Sequence, residues 1–372
     1  MTRHIKFDTD GLQTLFDELI KADYSIIGPR VKQASFVYDT ITTVDDLPKG
    51  WITEQTSSSF RMQRTDSAAY FGITHSMNGW NRYLYPTQRT LWKAHRKNNG
   101  FEIEHFEEQP NPVALFGVRP CDLEGIKKYD RIFLHAAFPD KTYTIRRENA
   151  FIVTVNCTQP SGTCFCVSMD TGPKVRTGFD LGLTEIIGDE EHYFIAEVGS
   201  ASAQEIIKNI PHTTVQEDEL GRVEELMKKA EKQMGRELDT DNLKEILYRN
   251  YEHPHWDSVA ERCFTCGNCT LVCPTCFCTT IEDYTDLSGN TGERIRKWDS
   301  CYNNEFSYIH GGSVRTSSYA RYRHWLMHKL ATYQDQFDTP GCVGCGRCIT
   351  WCPAGIDITE EATAIRKQGK TS

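Results

Sequence analysis

The sequence GCVGCGRCITWCP, residues 341–353, places four cysteines within eleven positions. An earlier segment, CFTCGNCTLVCP at residues 263–274, has the same cysteine spacing. Both segments follow the pattern C-x2-C-x2-C-x3-C-P, and we call them the first run (263–274) and the second run (341–353). The chain therefore carries one unusual arrangement of thiols twice.

This spacing is typical of iron–sulfur proteins with two clusters. Three thiolates separated by two residues surround one four-iron cube, and the fourth cysteine, before the proline, ligates the other cluster. The predicted ligands are Cys263, Cys266, Cys269 and Cys352 for cluster 1, and Cys342, Cys345, Cys348 and Cys273 for cluster 2. Because the runs exchange their last ligand, the two [4Fe-4S] clusters are expected to lie close together. Such a pair predicts a relay for single electrons, with no substrate chemistry of its own.

Two other uses of the cysteines fit the sequence less well. Structural zinc favours two C-x2-C pairs that are well separated, and it does not explain a repeated run of four ending in Cys-Pro. Disulfides are disfavoured because the cysteines number 15, an odd count, and because the start MTRHIKFDTDG lacks the apolar core of a signal peptide. We therefore expect a cytoplasmic location, where thiols stay reduced.

Seven cysteines lie outside the two predicted ligand sets. A candidate third cluster is formed by Cys121, Cys157, Cys164 and Cys166. Four is the ligand count of such a cluster, but free cysteine also packs well in cores, and both interpretations remain open. Cys276, Cys278 and Cys301 are one short of a ligand set and are expected to line a cluster pocket or pack in the core. Arg347, inside the second run, is a candidate hydrogen-bond donor to a cluster.

The bulk composition limits the partners of the chain. The 42 Lys and Arg against 51 Asp and Glu give a net charge of −9, which disfavours nucleic acid. The mean hydropathy is −0.52 and the apolar runs are short, which disfavours a membrane span. With 372 residues, two or three domains are expected.

Periodicity predicts an α+β protein. A helical stripe with a cap at Asp10 opens the chain, and a helix is predicted to begin near Asp122. Strands are predicted at 35–41, 113–118, 151–156 and 193–198. We therefore predict a mixed α/β domain at 1–211, a helical connector at 212–256 and an α-helical ferredoxin-like domain with both clusters at 257–372. The first connector helix is expected to be an exposed spacer.

The second half of the chain has a helical pattern between its cysteine runs. Its apolar face is formed by Tyr322, Trp325, Leu326, Leu330 and Tyr333. A further helix is predicted after the second run, with Asp357 or Thr359 as its cap.

Several long motifs carry a family resemblance. CTLVCPTCFCTTIEDYTDLSG, RKWDSCYNNEFSYIHGGSVR, GCVGCGRCITWCPAGIDITEE and LFGVRPCDLEGI resemble the β subunits of cytoplasmic NAD(P)-linked nickel–iron hydrogenases, the sulfhydrogenase group. The iron–sulfur A subunit of anaerobic sulfite reductase is similar. The resemblance covers most of residues 110–372.

The resemblance implies a role within a larger complex. In such a tetramer a flavin subunit with FAD exchanges electrons with NAD(P)H, this subunit carries them onward, and the hydrogenase small subunit delivers them to a large subunit with the nickel–iron centre. It also implies an α-helical ferredoxin fold around the cysteines. The alternative is the iron–sulfur subunit of an anaerobic sulfite or polysulfide reductase.

Overall fold

The computed structural model describes residues 4–98, 100–106, 111–188 and 191–369. The outermost residues of the first and last predicted domains, 1–3 and 370–372, lie outside the described residues. The described chain contains both helices and strands, as expected for the α+β class. The strands are β1 (His4–Asp8), β2 (Ser25–Lys32), β3 (Ser35–Thr40), β4 (Trp51–Thr56), β5 (Ser59–Arg64), β6 (Gln88–Lys97), β7 (Gly100–His105), β8 (Val113–Val118), β9 (Ala150–Val155), β10 (Leu181–Ile187), β11 (His192–Val198), β12 (Thr213–Thr214), β13 (Thr279–Thr285) and β14 (Thr291–Trp298).

The helices follow the same chain order. They are α1 (Thr9–Lys21), α2 (Asn81–Leu84), α3 (Pro120–Phe133), α4 (Lys141–Glu148), α5 (Ala201–Ile207), α6 (Glu217–Lys232), α7 (Leu243–Arg249), α8 (His255–Arg262), α9 (Asn268–Leu271), α10 (Ser318–Met327), α11 (Tyr333–Phe337), α12 (Arg347–Thr350) and α13 (Ile358–Gln368). A 3₁₀ turn covers Val44–Asp46, and a π-helical turn covers His328–Thr332 between α10 and α11.

The first part of the chain is built on an eight-stranded sheet with the order β12-β1-β11-β10-β9-β8-β2-β3. Its centre, β10-β9-β8-β2, is parallel, and the flanking strands are antiparallel. The central strands are nearly continuous apolar runs because helices cover both faces. Phe16 of α1 packs in the core on one face, and Tyr129 of α3 packs in the core on the other.

Most elements predicted from periodicity are confirmed. Strands β3, β8, β9 and β11 lie at the predicted positions, and α3 begins at Pro120, close to the predicted start. Helix α13 begins at Ile358 with Asp357 as its cap. The cap of α1 differs from the prediction: Asp8, not Asp10, accepts a hydrogen bond from the Gly11 amide at 2.9 Å.

The connector helices are present, but α6 is not the exposed spacer that its charge density predicts. Val223 and Met227 on one face of α6 are buried against Ile186 and Ile195 of the large sheet. Helix α7 instead packs Leu247 into the core around the cysteine runs. The charged face of α6 obscures a narrow apolar stripe, which is enough to attach this helix to the sheet.

A β-hairpin lies between the two runs, where a helical domain is predicted. The helical prediction is confirmed for 318–337, but β13 and β14 form a hairpin, and β14 pairs with β6. The resulting antiparallel sheet, β13-β14-β6-β7, joins residues 279–298 to residues 88–105. The pairing of β14 with β6 therefore joins residues on the two sides of the predicted boundary at 256. The division into three domains stays a prediction. Among the described residues, no helix combines the length and the apolarity that a membrane span needs.

Candidate metal centres

The two cysteine runs have the same backbone conformation. Two residues after the first cysteine, Thr265 and Gly344 have positive φ angles of 55° and 62°. Four residues after it, Gly267 and Gly346 have φ angles of 75° and 71°, and each precedes a one-turn helix, α9 or α12. The repeated sequence thus produces a repeated backbone geometry.

Backbone amides point at the cysteine sulfurs in both runs. Cys263 Sγ accepts a hydrogen bond from the amide two residues later at 3.4 Å, and Cys342 Sγ accepts the equivalent one at 3.3 Å. The Ile356 amide donates to Cys352 Sγ at 3.4 Å. Hydrogen bonds of this kind favour the thiolate, which is the form that binds iron.

The outer cavity is the space surrounded by the first run and the end of the second run. Its lining residues include Cys263, Cys266, Cys269, Cys348 and Cys352. The structure therefore brings together all four cysteines predicted for cluster 1, and Cys352 comes from the other run.

The inner cavity lies beneath the second run. Its lining residues include Cys273, Cys342, Cys345 and Cys348. These are the four cysteines predicted for cluster 2, and Cys273 comes from the first run. Trp325 and Cys348 border both cavities, so the cavities share a wall. The ligation itself stays a prediction.

The cysteines surround cavities and do not converge on a site for a single metal ion. Within the described ranges no three His, Cys, Asp or Glu side chains stand close enough to hold a single metal ion. A four-iron cube takes its ligand sulfurs at its corners, separated by the width of the cube, so a ring of sulfurs around a cavity is the arrangement it requires.

Buried hydrogen-bond donors line the outer cavity without partners. Tyr322 Oη and Trp325 Nε1 are buried, and within the described part of the chain neither has a hydrogen-bond partner, whereas the Tyr302 hydroxyl faces the Cys269 thiol. An unpaired buried donor costs roughly 1–3 kcal/mol. Sulfur atoms of a cluster accept such hydrogen bonds, so the residues of the outer cavity fit a [4Fe-4S] cluster.

Burial keeps several candidate ligands protonated when no metal is bound. It raises the pKa of the Cys342 thiol to about 12, and it also raises the pKa of Cys345 and Cys348. The positive charge of bound iron offsets this cost, because a thiol that coordinates a metal ion loses its proton.

The two cavities differ in exposure. Beside the outer cavity Cys266 is exposed, and so are Phe264 (70%) and Leu271 (58%). The second run is instead covered by the loop after β9, where the Phe165 amide donates to the Gly344 carbonyl at 2.8 Å. The outer cavity is therefore the one that lies at the surface.

Arg347 does not have the predicted role. Its guanidinium is fully buried and forms two hydrogen bonds with the Asp122 carboxylate at 2.8 and 2.9 Å, and Nε donates to the Ser76 carbonyl at 2.8 Å. These three hydrogen bonds are all made with the first part of the chain. This ion pair fastens the second run to α3, which begins in the RPCD motif.

The candidate ligands of a third cluster lie together next to the second run. Cys121, Cys157, Cys164 and Cys166 are all buried, and burial raises the pKa of each thiol. Cys121 and Cys166 pack against Cys345, and Cys164 Sγ lies 3.8 Å from the Cys345 carbonyl oxygen. The structure brings the four together, and their role stays a prediction.

Sequence reasoning missed a buried lysine beside the three cysteines that belong to no predicted ligand set. Lys329 lines the inner cavity, and its charge acts on the thiols of Cys276, Cys278 and Cys301. A signal was present in the sequence, because position 329 falls on the apolar stripe that contains Trp325 and Leu330. A lysine on such a stripe is buried unless the helix rotates.

Comparison with known proteins agrees with this geometry. Residues 262–356, which include both runs, match the family described as a 4Fe-4S dicluster domain. The chain is 35% identical over 368 residues to sulfhydrogenase 2 subunit beta of Pyrococcus furiosus, and the alignment covers 98% of this chain and 99% of that protein. No solved structure matches the chain. The chain therefore belongs to the family of sulfhydrogenase β subunits, and its cysteine runs lie in a 4Fe-4S dicluster domain.

Proposed function

We propose that this chain relays single electrons between an NAD(P)H-oxidising flavin subunit and a nickel–iron hydrogenase module. The observation that carries the proposal is the pair of cavities with a common wall, each bordered by one of the predicted cysteine sets. The family membership supports the same role. Each bound [4Fe-4S] cluster would supply a reversible one-electron couple.

In this proposal the protein holds and insulates the clusters. Four cysteines ligate cluster 1 in the outer cavity and four ligate cluster 2 in the inner cavity, with Cys352 and Cys273 as the exchanged ligands. Cys348 and Trp325, in the common wall, keep the two sites adjacent. FAD and the nickel–iron centre belong to partner subunits.

The outer cavity is the proposed contact point with a redox partner. Phe264 and Leu271 are large apolar side chains exposed on the first run itself. Exposed apolar side chains of this kind are typical of protein interfaces when they are grouped. A partner that covers them would also remove Cys266 from water and bring its own redox centre close to cluster 1.

A third cluster held by Cys121, Cys157, Cys164 and Cys166 is a further part of the proposal. What supports it is that the four thiols lie together and next to Cys345. Two clusters correspond to about eight iron atoms per chain and three correspond to about twelve. Iron analysis therefore distinguishes the two cases.

Anaerobic purification of the native complex tests the proposed function. The complex is expected to contain FAD, nickel and at least two clusters in this chain, and to exchange electrons between NAD(P)H and hydrogen. Siroheme in place of nickel would overturn the hydrogenase assignment in favour of sulfite reduction. Iron-free protein would overturn the relay.

A further inference from the structure

Lys329 is a buried cation at the inner cavity. It is 2% exposed, lies in the π-helical turn His328–Thr332 and lines the cavity together with Cys273 and Cys342. Its ammonium group donates to Thr275 Oγ1 at 2.9 Å, and Thr275 in turn donates to the Gly341 carbonyl. The turn has an irregular backbone of a kind that is frequent at functional sites.

No carboxylate compensates the charge of Lys329 within the part of the chain that the structure describes. The other cation buried beside the second run, Arg347, has Asp122 as its full partner. Burying an unpaired ammonium group costs several kcal/mol. The cysteines that interact with the charge of Lys329 are above all Cys273, a predicted ligand of cluster 2, and Cys276.

The outer cavity has no equivalent charge. Its lining, as far as the structure describes it, contains no lysine or arginine, and its buried donors are the neutral groups of Tyr302, Tyr322 and Trp325. Each cavity is therefore lined by its own four predicted cysteine ligands, but only the inner cavity has a buried cation beside them.

We propose that Lys329 is the counter-cation of the inner cluster and makes that cluster easier to reduce than the outer one. Reduction adds one negative charge, and a fixed cation nearby stabilises the reduced state more than the oxidised state. The inference rests on the proposed relay and predicts how the electrons are distributed in it. An electron that enters either cluster resides mainly on the inner one, which has the higher reduction potential. Lys329 takes no part in the electron transfer itself, and its fixed charge sets the reduction potential of the cluster.

Redox titration of the complete complex, followed by electron paramagnetic resonance, tests this role. Comparison of the wild type with Cys345→Ser assigns the signal of the inner cluster, which is the signal that this variant alters. Lys329→Met and Lys329→Gln are expected to lower the midpoint potential of that signal and leave the other unchanged. Lys329→Arg keeps the charge and is expected to retain the potential. Lys208→Met, which removes an exposed lysine paired with Glu205, is the control and is expected to shift neither signal.

The possible outcomes separate this proposal from the relay itself. If both clusters are present and the inner potential does not change in the neutral variants, the role of Lys329 is overturned and the relay remains. If the neutral variants lose the inner cluster while Lys329→Arg retains it, the need for a cation is supported. If all three variants lose it, side-chain shape is decisive and the proposal fails. Absence of clusters in the wild type would instead overturn the proposed function.

Discussion

The ion pair between Arg347 and Asp122 links the second run to α3 through two fully buried side chains. Arg347→Met leaves Asp122 buried without its partner, and such a loss costs about 3–5 kcal/mol. We therefore expect a large decrease in the free energy of unfolding, measured by urea denaturation of anaerobic protein. Arg176→Met, which removes an exposed partner of Asp170, is the control and should cost at most about 1 kcal/mol.

A double variant distinguishes a charge effect from a packing effect. In Asp122→Leu/Arg347→Met no buried charge remains, and replacing a buried pair by apolar side chains is often close to neutral. Most of the lost stability should therefore return. Equal instability of the single and the double variant would contradict this explanation of the contact.

Individual residues were predictable where the signal is local. The grouping of Cys263, Cys266 and Cys269 follows from their spacing, and the structure places them around one cavity. The partner of Arg347 lies 225 positions away, so no local pattern indicates it. Lys329 was overlooked because a single charged residue next to an apolar helix face is easily assigned to the solvent-exposed side of that helix.

The two short helices α9 and α12 provide a matched test of how each run is packed. Gly267 and Gly346 precede them with similar positive φ angles, but a Cβ atom at 267 would meet Ser300 Oγ at 3.3 Å, whereas at 346 it would meet the Thr163 carbonyl oxygen at 2.2 Å. The left-handed conformation alone costs a non-glycine residue about 1–2 kcal/mol.

Gly267→Ala is therefore expected to destabilise the protein by about 1–2 kcal/mol and to retain its iron. Gly346→Ala must also displace the backbone at Thr163, so we expect a larger loss of stability and a loss of the inner cluster. Urea denaturation and iron analysis of both variants measure this difference. Equal losses of stability and iron in the two variants would contradict the close contact between Thr163 and the second run.

Elements were predictable when their signal lay within their own sequence. The buried strands β8 and β9 and the apolar stripe of α10 were found from periodicity. The hairpin β13–β14 was missed because it is stabilised by pairing with β6, about 200 residues earlier. Helix α6 was found, but its burial depends on strands that its own sequence does not indicate.

At the scale of the whole molecule, the exposed first run predicts where a partner binds. Phe264→Asp replaces an exposed apolar side chain beside the outer cavity with a charge, which a buried interface does not tolerate. We expect a roughly tenfold weaker association with the partner subunits, measured by co-purification and binding titration. Phe138→Asp changes a side chain that is 93% exposed in the loop between α3 and α4, and should leave association unchanged. A similar loss in both variants would contradict the proposed contact point.

The overall architecture was predictable in class but not in its connections. An α+β fold and a dicluster segment follow from periodicity and cysteine spacing. The contacts that join the first part of the chain to the runs, such as β14 with β6 and Arg347 with Asp122, depend on tertiary packing. Phe165, from the loop after β9, lines the inner cavity and not the outer one, so the difference between the two sites could not be read from two motifs with the same spacing.

The central claim is that the runs exchange their last cysteine. Electron paramagnetic resonance of the reduced protein, compared among Cys263→Ser, Cys345→Ser and Cys352→Ser, tests it most directly. Cys352→Ser is expected to alter the same cluster signal as Cys263→Ser and to leave the signal altered by Cys345→Ser unchanged. If Cys352→Ser instead alters the signal that Cys345→Ser alters, each run binds its own cluster and the exchanged ligation is contradicted.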